Sequence, residues 1–204
     1  MKKYFYLIFI FCLYFGLNLN AQDKIADELN SERTALLIID IQYFYFPGGS
    51  LPLVEPEKAS KNASEILKKF REKGILVVHV KHNAKNGADI YKDVKPLRGE
   101  KVVIKNEANA FLGTDLLEFL NENGIENLII LGMQTQMCLE AATRAAHDYG
   151  FNCTVVADAC ATRDLKYDNI VIKSSDVHYA TLSALSRTYA HIVNTEDLLN
   201  DFDN

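Results

Sequence analysis

The chain has 204 residues, 49% of them hydrophobic and 24% charged, with a formal net charge of −5. That is enough apolar material for one globular domain with a sizeable core, and it excludes a disordered or fibrous chain. No basic run offsets the acidic balance, so composition argues against nucleic acid and anionic membrane surfaces as partners and for a small-molecule ligand.

The first residues, MKKYFYLIFIFCLYFGLNLNAQ, carry two lysines, an apolar stretch from Tyr4 to about Leu17 and a small residue, Ala21, suited to leader cleavage. The pattern predicts a signal peptide over 1–21, a linker over 22–33 and a domain over 34–204. The protein is then exported, to the periplasm of a bacterium, with no membrane attachment once the leader is removed. An uncleaved anchor is the alternative, although the stretch is short for a bilayer span. Cys12 lacks small residues just before it, so no lipid attachment site is read there. The mature chain keeps Cys138, Cys153 and Cys160, an odd number that leaves at least one thiol unpaired. A Cys153 to Cys160 bridge is conceivable, but both read more simply as core or loop thiols.

After the leader, strand-like and helix-like segments alternate. Ala35 to Ile39 is a continuous apolar run, Lys58 to Lys73 has helical spacing through Ala59, Ala63, Ile66, Leu67 and Phe70, and Gly74 stops it. Strands follow at Ile75 to Val80 and Val102 to Ile104. A helix over Thr114 to Asn123 is capped by Thr114 and stopped by Gly124. Leu128 to Leu131 is the next strand and Gln136 to Tyr149 the next helix. Cys153 to Ala157, a helix near Ser175 to Tyr189, the short strand Ile192 to Val193 and a helical turn at Glu196 to Leu199 complete the series. Apolar strands alternating with amphipathic helices imply an α/β fold. It is a three-layer, Rossmann-like open sheet of about six strands, mostly parallel, with helices on both faces.

Ligands in such folds bind beyond the carboxyl ends of the strands. Asp40 ends the first strand, Lys105 the third and Asp158 the fifth, while Gly132 to Cys138 follows the fourth. Cys138 sits where a strand turns into a helix, and the unpaired N–H groups and positive dipole end of a first turn favour a thiolate. A cysteine nucleophile needs a base and an oxyanion site. Of the five histidines, His147 lies about two and a half helical turns past Cys138 and His79 lies within a strand, so neither is an obvious base. Asp40 and Lys105 instead supply a carboxylate with a neighbouring ammonium. Singly, each has a structural explanation: Cys138 as a buried thiol, Asp40 as a loop acceptor, Lys105 as a solvated lysine. Their conjunction at one sheet edge is harder to dismiss.

These residues resemble the isochorismatase-like cysteine hydrolases, the superfamily of nicotinamidases, N-carbamoylsarcosine and ureidoacrylate amidohydrolases and isochorismatase itself. The likeness covers Thr34 to about Leu199. It runs through ALLIIDIQ with Asp40, PGGSL at Pro47 to Leu51, VIKNEANAF with Lys105 and Phe111, GMQTQMCLEAATRAA with Cys138, and VVADACAT with Asp158. The resemblance implies a catalytic triad of Asp40, Lys105 and Cys138 and a cis peptide between Met133 and Gln134. It also implies an oxyanion hole from the N–H groups of Gln134 and Cys138, and two-stage hydrolysis of a small-molecule amide through a thioester. A homo-oligomer is implied as well. Family members that cleave an enol ether do not need the cysteine, so Cys138 favours the amidase branch over an isochorismatase-type ether hydrolase. A non-catalytic binding subunit and a thiol redox protein are further alternatives. The intact triad argues against the first, and the lack of a Cys-x-x-Cys against the second.

Nicotinamidases of this family hold a metal through an Asp-x-His pair after the first strand, yet Ile41 to Glu57 contain neither aspartate nor histidine. His82, in HVKHNA, resembles the later metal histidine, but one imidazole cannot hold a divalent ion. The expectation is no metal and no cofactor, with nicotinamide disfavoured as a substrate. Gln42, Phe44, Phe46, His82 and Phe111 are placed in the substrate pocket, the aromatic cluster Tyr43 to Phe46 as its apolar wall. Packing of the core or of a subunit interface is the other reading for the aromatics. Carboxamide, N-carbamoyl and lactam substrates all stay open.

Overall fold

Residues 32–202 are described by a computed structural model. The leader read over 1–21 and the linker up to residue 31 lie outside the described residues. The apolar run from Ala35 forms β1 (Thr34–Ile39), buried along its whole length. It pairs with β2 (Leu76–His82) on one side and β4 (Asn127–Met133) on the other. Beyond β2 lies β3 (Lys101–Lys105), and beyond β4 lie β5 (Asn152–Ala161) and β8 (His191–Val193), giving the order β3-β2-β1-β4-β5-β8. All five pairings are parallel, so every return passes over a face of the sheet and both faces are covered.

Side chains alternate across the strands. Leu36, Ile38, Ile129 and Leu131 pack towards α1 (Pro56–Lys73) and α5 (Thr195–Asp201), meeting Ala59, Ala63, Ile66, Phe70 and Leu198. Ala35, Leu37, Ile39, Leu128 and Ile130 face α2 (Leu116–Glu122), α3 (Glu140–Asp148) and α4 (Ser174–Ser186), meeting Leu116, Leu120, Ala142, Ala146, Leu182 and Leu185. Each such large side chain withdrawn from water contributes about 1.5–3 kcal/mol. Pro56 opens α1 with its fixed φ and no N–H to lose, and Gly74, at φ 68°, closes it.

Two departures from the sequence reading matter for the site. β5 does not stop at Ala157: Val155 still pairs with Ile130, but Gly132 next pairs with Cys160, so residues between them bulge from the ladder. Asp158 lies in that bulge, and its Oδ1 accepts the N–H and hydroxyl of Thr195 at 2.8 Å each, fastening the start of α5. It therefore does not join the residues at the strand ends. Between β5 and α4 stands a two-stranded antiparallel hairpin, β6 (Leu165–Tyr167) and β7 (Ile170–Ile172), which the sequence reading did not contain. No disulfide links Cys153 to Cys160, and both thiols are buried.

Candidate active site

Asp40 follows β1 with φ 51°, a left-handed conformation that aspartate tolerates, and its backbone N–H bonds Val80 O at 3.0 Å. β3 is two strands from β1, roughly 9.5 Å away. Only a long side chain bridges that gap, and Lys105, the last residue of β3, brings its Nζ to 2.7 Å from Asp40 Oδ2. Both residues are fully buried. The third member arrives from β4, which approaches β1 closely: a Cβ at Gly132 would sit 2.0 Å from Ile39 O, so only glycine fits. The chain then makes the cis peptide Met133–Gln134 and a wide π-type turn, Thr135–Leu139, that runs into α3 and carries Cys138. The N–H groups of Met137 and Leu139 fold back onto Gln134 O.

The electrostatics of this cluster differ from the sequence expectation. Burial is the largest influence on Cys138 and the negative charge of Asp40 adds to it, so the thiol is pushed up to about 12 despite Lys105. The resting sulfur is a thiol, not the thiolate expected at a helix start. Asp40 is also raised above the ordinary carboxylate range, chiefly by burial, with Lys105, Cys138 and His82 opposing. Lys105 Nζ, at 2.7 Å from Asp40 Oδ2, also donates to Glu107 O at 3.0 Å, and the Cys138 thiol faces the same carboxylate. A desolvated carboxylate next to a neutral thiol is a strong proton acceptor.

Gln42 does not reach a ligand. Its amide nitrogen donates to His82 O at 3.0 Å and Ala88 O at 2.7 Å, and its oxygen accepts His82 N–H, so it ties the end of β2 to the following loop. Phe44 and Phe46 are buried in the α1 layer, Phe46 stacked on Tyr91 with centroids 3.4 Å apart. Phe111 packs against Tyr149 and Phe151, in the core cluster that also holds Cys138. Packing or backbone bonds within the fold account for each of these four. Adjacency along the chain to Asp40 or Lys105 does not decide which way an aromatic ring faces. His82 does stay near the cluster: it is half-buried, its charge acts on Asp40, and its Nδ1 is buried without a partner.

Other side chains surround the thiol. Tyr45, almost fully buried, feels the charges of Cys138, Asp40 and Arg163, and its hydroxyl accepts Gln134 Nε2 at 3.4 Å. Gln136 Nε2 donates to Gln134 Oε1 at 3.3 Å, and Thr162 Oγ1 donates to Gln136 Oε1. This relay braces the turn before Cys138 from the end of β5. Arg163, next in the chain, has a buried Nε without a partner. Behind the turn, Thr135 Oγ1 and His178 Nδ1 lie 3.0 Å apart. Tyr45 stood in the noted aromatic cluster; Gln136 and Thr162 lie within the matched motifs and Arg163 next to one, but nothing in the sequence singled them out. Among the described residues, no three His, Cys, Asp or Glu side chains gather as metal ligands.

Comparison with known proteins matches residues 34–197 to the isochorismatase domain. The isochorismatase family protein YddQ of Bacillus subtilis is 41% identical over 177 residues, covering 81% of this chain and 98% of that protein. Maleamate amidohydrolase of Pseudomonas putida is 29% identical, with 82% of this chain and 85% of that protein covered. A crystal structure of an isochorismatase hydrolase from Oleispira antarctica superposes with a TM-score of 0.79 at 40% identity, covering 83% of this chain and 97% of that one. The chain belongs to the isochorismatase family of hydrolases.

Proposed function

We propose that the protein hydrolyses a C–N bond of a small-molecule amide through a thioester on Cys138. The observation that carries this reading is the neutral buried thiol beside a desolvated Asp40 with Lys105 at 2.7 Å. Asp40 takes the Cys138 proton as sulfur adds to the amide carbon, and the C–O π electrons move to oxygen. Backbone N–H groups of Gln134 and Cys138 hold that oxyanion. As the carbonyl re-forms, the C–N bond breaks, and Asp40 passes its proton to the departing nitrogen. Asp40 then takes a proton from water, hydroxide adds to the thioester, the C–S bond breaks and sulfur regains the proton. Lys105 stays cationic and offsets whichever of Asp40 and Cys138 is negative. Neutral thiol, carboxylate and ammonium sum to no net charge, which suits a buried resting site.

Arg163 narrows the substrate. A cation with an unpartnered buried Nε, close to Tyr45, favours an amide that also carries an acidic group. The relationship to maleamate amidohydrolase is in keeping with that preference.

Ammonia release from a panel of primary amides, with and without a carboxylate and with maleamate first, tests the reading. Cys138→Ser is expected to lower kcat/KM at least about 1,000-fold, since a weaker nucleophile replaces the group that forms the intermediate. Acidic amides are expected to outrank neutral ones. Full activity in Cys138→Ser would overturn the thioester route, and turnover of enol ethers alone would move the protein to C–O hydrolysis.

A further inference from the structure

We infer that His178, on α4, is a positioning residue for the oxyanion donors: through Thr135 it holds the turn that carries the Gln134 and Cys138 N–H groups. The role rests on the amide hydrolysis proposed above. Thr135 opens that turn, next in the chain to Gln134, and it is fully buried. A buried hydroxyl needs a partner, and Thr135 Oγ1 finds one across the fold in His178 Nδ1, at 3.0 Å and 43 residues away. The turn has few ties of its own. It is π-type, it has no side-chain cap at Gln134, and Leu139 N–H reaches Gln134 O only at 3.3 Å. Side chains brace it in two directions, towards β5 through Gln136 and Thr162, and towards α4 through Thr135 and His178.

His178 acts through this bond and not as an acid or base. Burial alone lowers it, whereas Asp40 and Lys105 both act on Cys138, so the ring stands outside that ionic cluster. The neutral ring holds Thr135 in either tautomer, accepting the hydroxyl proton at a bare Nδ1 or donating Nδ1–H to Oγ1. The support itself is fixed, because α4 buries Val177, Thr181, Leu182 and Leu185 independently of this bond. The ring borders a cavity of about 310 Å³ together with Lys58, Cys160 and Tyr179, so shortening the side chain removes little packing. An N–H aimed where charge develops contributes only while it is held there. Losing one such donor costs about 100- to 1,000-fold in kcat, and a displacement of about 1 Å costs about 100-fold. Loosening one of two braces is expected to cost less, about tenfold.

The test compares His178→Ala, His178→Asn and His178→Gln in the full-length chain, on the best substrate of the amide panel. The polar atoms of asparagine leave Cγ as Nδ1 does in histidine, whereas those of glutamine sit one bond further out. His178→Ala and His178→Gln are expected to lose about tenfold in kcat with KM unchanged, since the donors act on the transition state, and His178→Asn to retain most of kcat. Thr135→Val is expected to match His178→Ala, and the double variant Thr135→Val/His178→Ala to lose no more than either alone. Amide hydrogen exchange over residues 134–139 needs no substrate. It is expected to quicken in His178→Ala and not in His178→Asn, with thermal midpoints showing every variant folded. Equal kcat in the parent and His178→Ala overturns the inference, whether or not exchange quickens, and so does a loss that His178→Asn fails to restore. A parent that turns over no amide overturns the amide reading itself, and the positioning role with it.

Discussion

Strand β3 has an ion cluster at each end, half-buried at its start and fully buried at its finish, and the two are built to opposite purposes. Before its first residue, Glu100 accepts Arg71 through both carboxylate oxygens at 2.7 and 2.8 Å, Leu97 N–H at 2.8 Å and His79 Nε2 at 2.9 Å. Burial raises Glu100, but those donors outweigh it and hold the carboxyl at about 2. Burial likewise lowers His79 below its usual value, so it serves as a neutral donor. At the far end of β3, Asp40 has the Lys105 ammonium and the Cys138 thiol beside it but is fully buried, and burial wins: its affinity for a proton rises. The same ingredients, a carboxylate and a cation at 2.7 Å, give a saturated structural anion in one place and a base in the other. What separates them is the depth of burial together with the number of donors, not distance.

The comparison breaks most sharply at Asp40→Asn. If Asp40 is the base, kcat/KM is expected to fall at least about 1,000-fold, as when a positioned proton acceptor is removed from a catalytic triad. In the parent, activity requires Asp40 ionised. With its folded pKa raised, the acid limb of the pH profile is expected above the ordinary carboxylate value of 3.8. The thiol keeps its proton to about 12, so no alkaline loss is expected from Cys138 at ordinary working pH, and iodoacetamide labelling of the resting enzyme is expected to be slow near neutrality. Rapid labelling at pH 6 would show a resting thiolate and remove the base from Asp40.

Glu100→Gln is the structural counterpart, with an expected loss of about 1–2 kcal/mol in denaturant unfolding, because half-buried Arg71 loses its bidentate carboxylate. The pH signs are opposite. Glu100 has a depressed folded pKa, so its contribution is complete above pH 4.5 and is lost as pH falls towards about 2. Asp40 has a raised one, so it opposes folding at neutral pH, and the opposition relaxes as pH falls from its folded pKa towards 3.8. Removing charge from both partners at once, Asp40→Asn/Lys105→Met, is therefore expected to leave stability unchanged or raise it by about 1–2 kcal/mol while abolishing activity. Destabilisation of the double variant below the parent would place the pair among structural ion pairs.

The convergence of Asp40, Lys105 and Cys138 was legible because it follows from topology. Once apolar runs are read as parallel strands, residues just beyond them share an edge; Gly132, read as following the fourth strand, instead lies within it, tight against Ile39 O. The surrounding pocket was not legible for a corresponding reason. Phe44, Phe46 and Phe111 are aromatic residues near Asp40 and Lys105 in sequence, but their direction depends on Tyr91, Tyr149 and Phe151, which come from distant segments. Gln42 could be placed on a loop, but not bonded to His82 and Ala88. Tyr45, Gln136, Thr162 and Arg163 meet only when β5 bulges and its end reaches the turn before Cys138. The bulge itself, between Val155 and Cys160, interrupts no apolar pattern strongly enough to be read.

Tyr45 is the place where that unread part of the site can be weighed. Its hydroxyl lies within the electrostatic reach of both Cys138 and Asp40, and it receives a long hydrogen bond from Gln134. Burial raises its pKa, so the phenol is neutral throughout the working range and retains a proton to donate. A buried O–H beside a reacting carbonyl contributes most when negative charge collects on that oxygen, and its loss costs about tenfold in rate, or about 1.4 kcal/mol. Tyr45→Phe keeps the ring that packs on Phe44, at 4.2 Å between centroids, so stability is expected to change little. The expected result is kcat/KM reduced about tenfold through kcat, with the pH dependence of Cys138 alkylation unmoved. An unchanged kcat/KM would make the hydroxyl only an acceptor for Gln134. A shifted alkylation profile would mean that it acts on the thiol and not on the substrate, which would add Tyr45 to the groups that set the protonation of the Asp40 cluster.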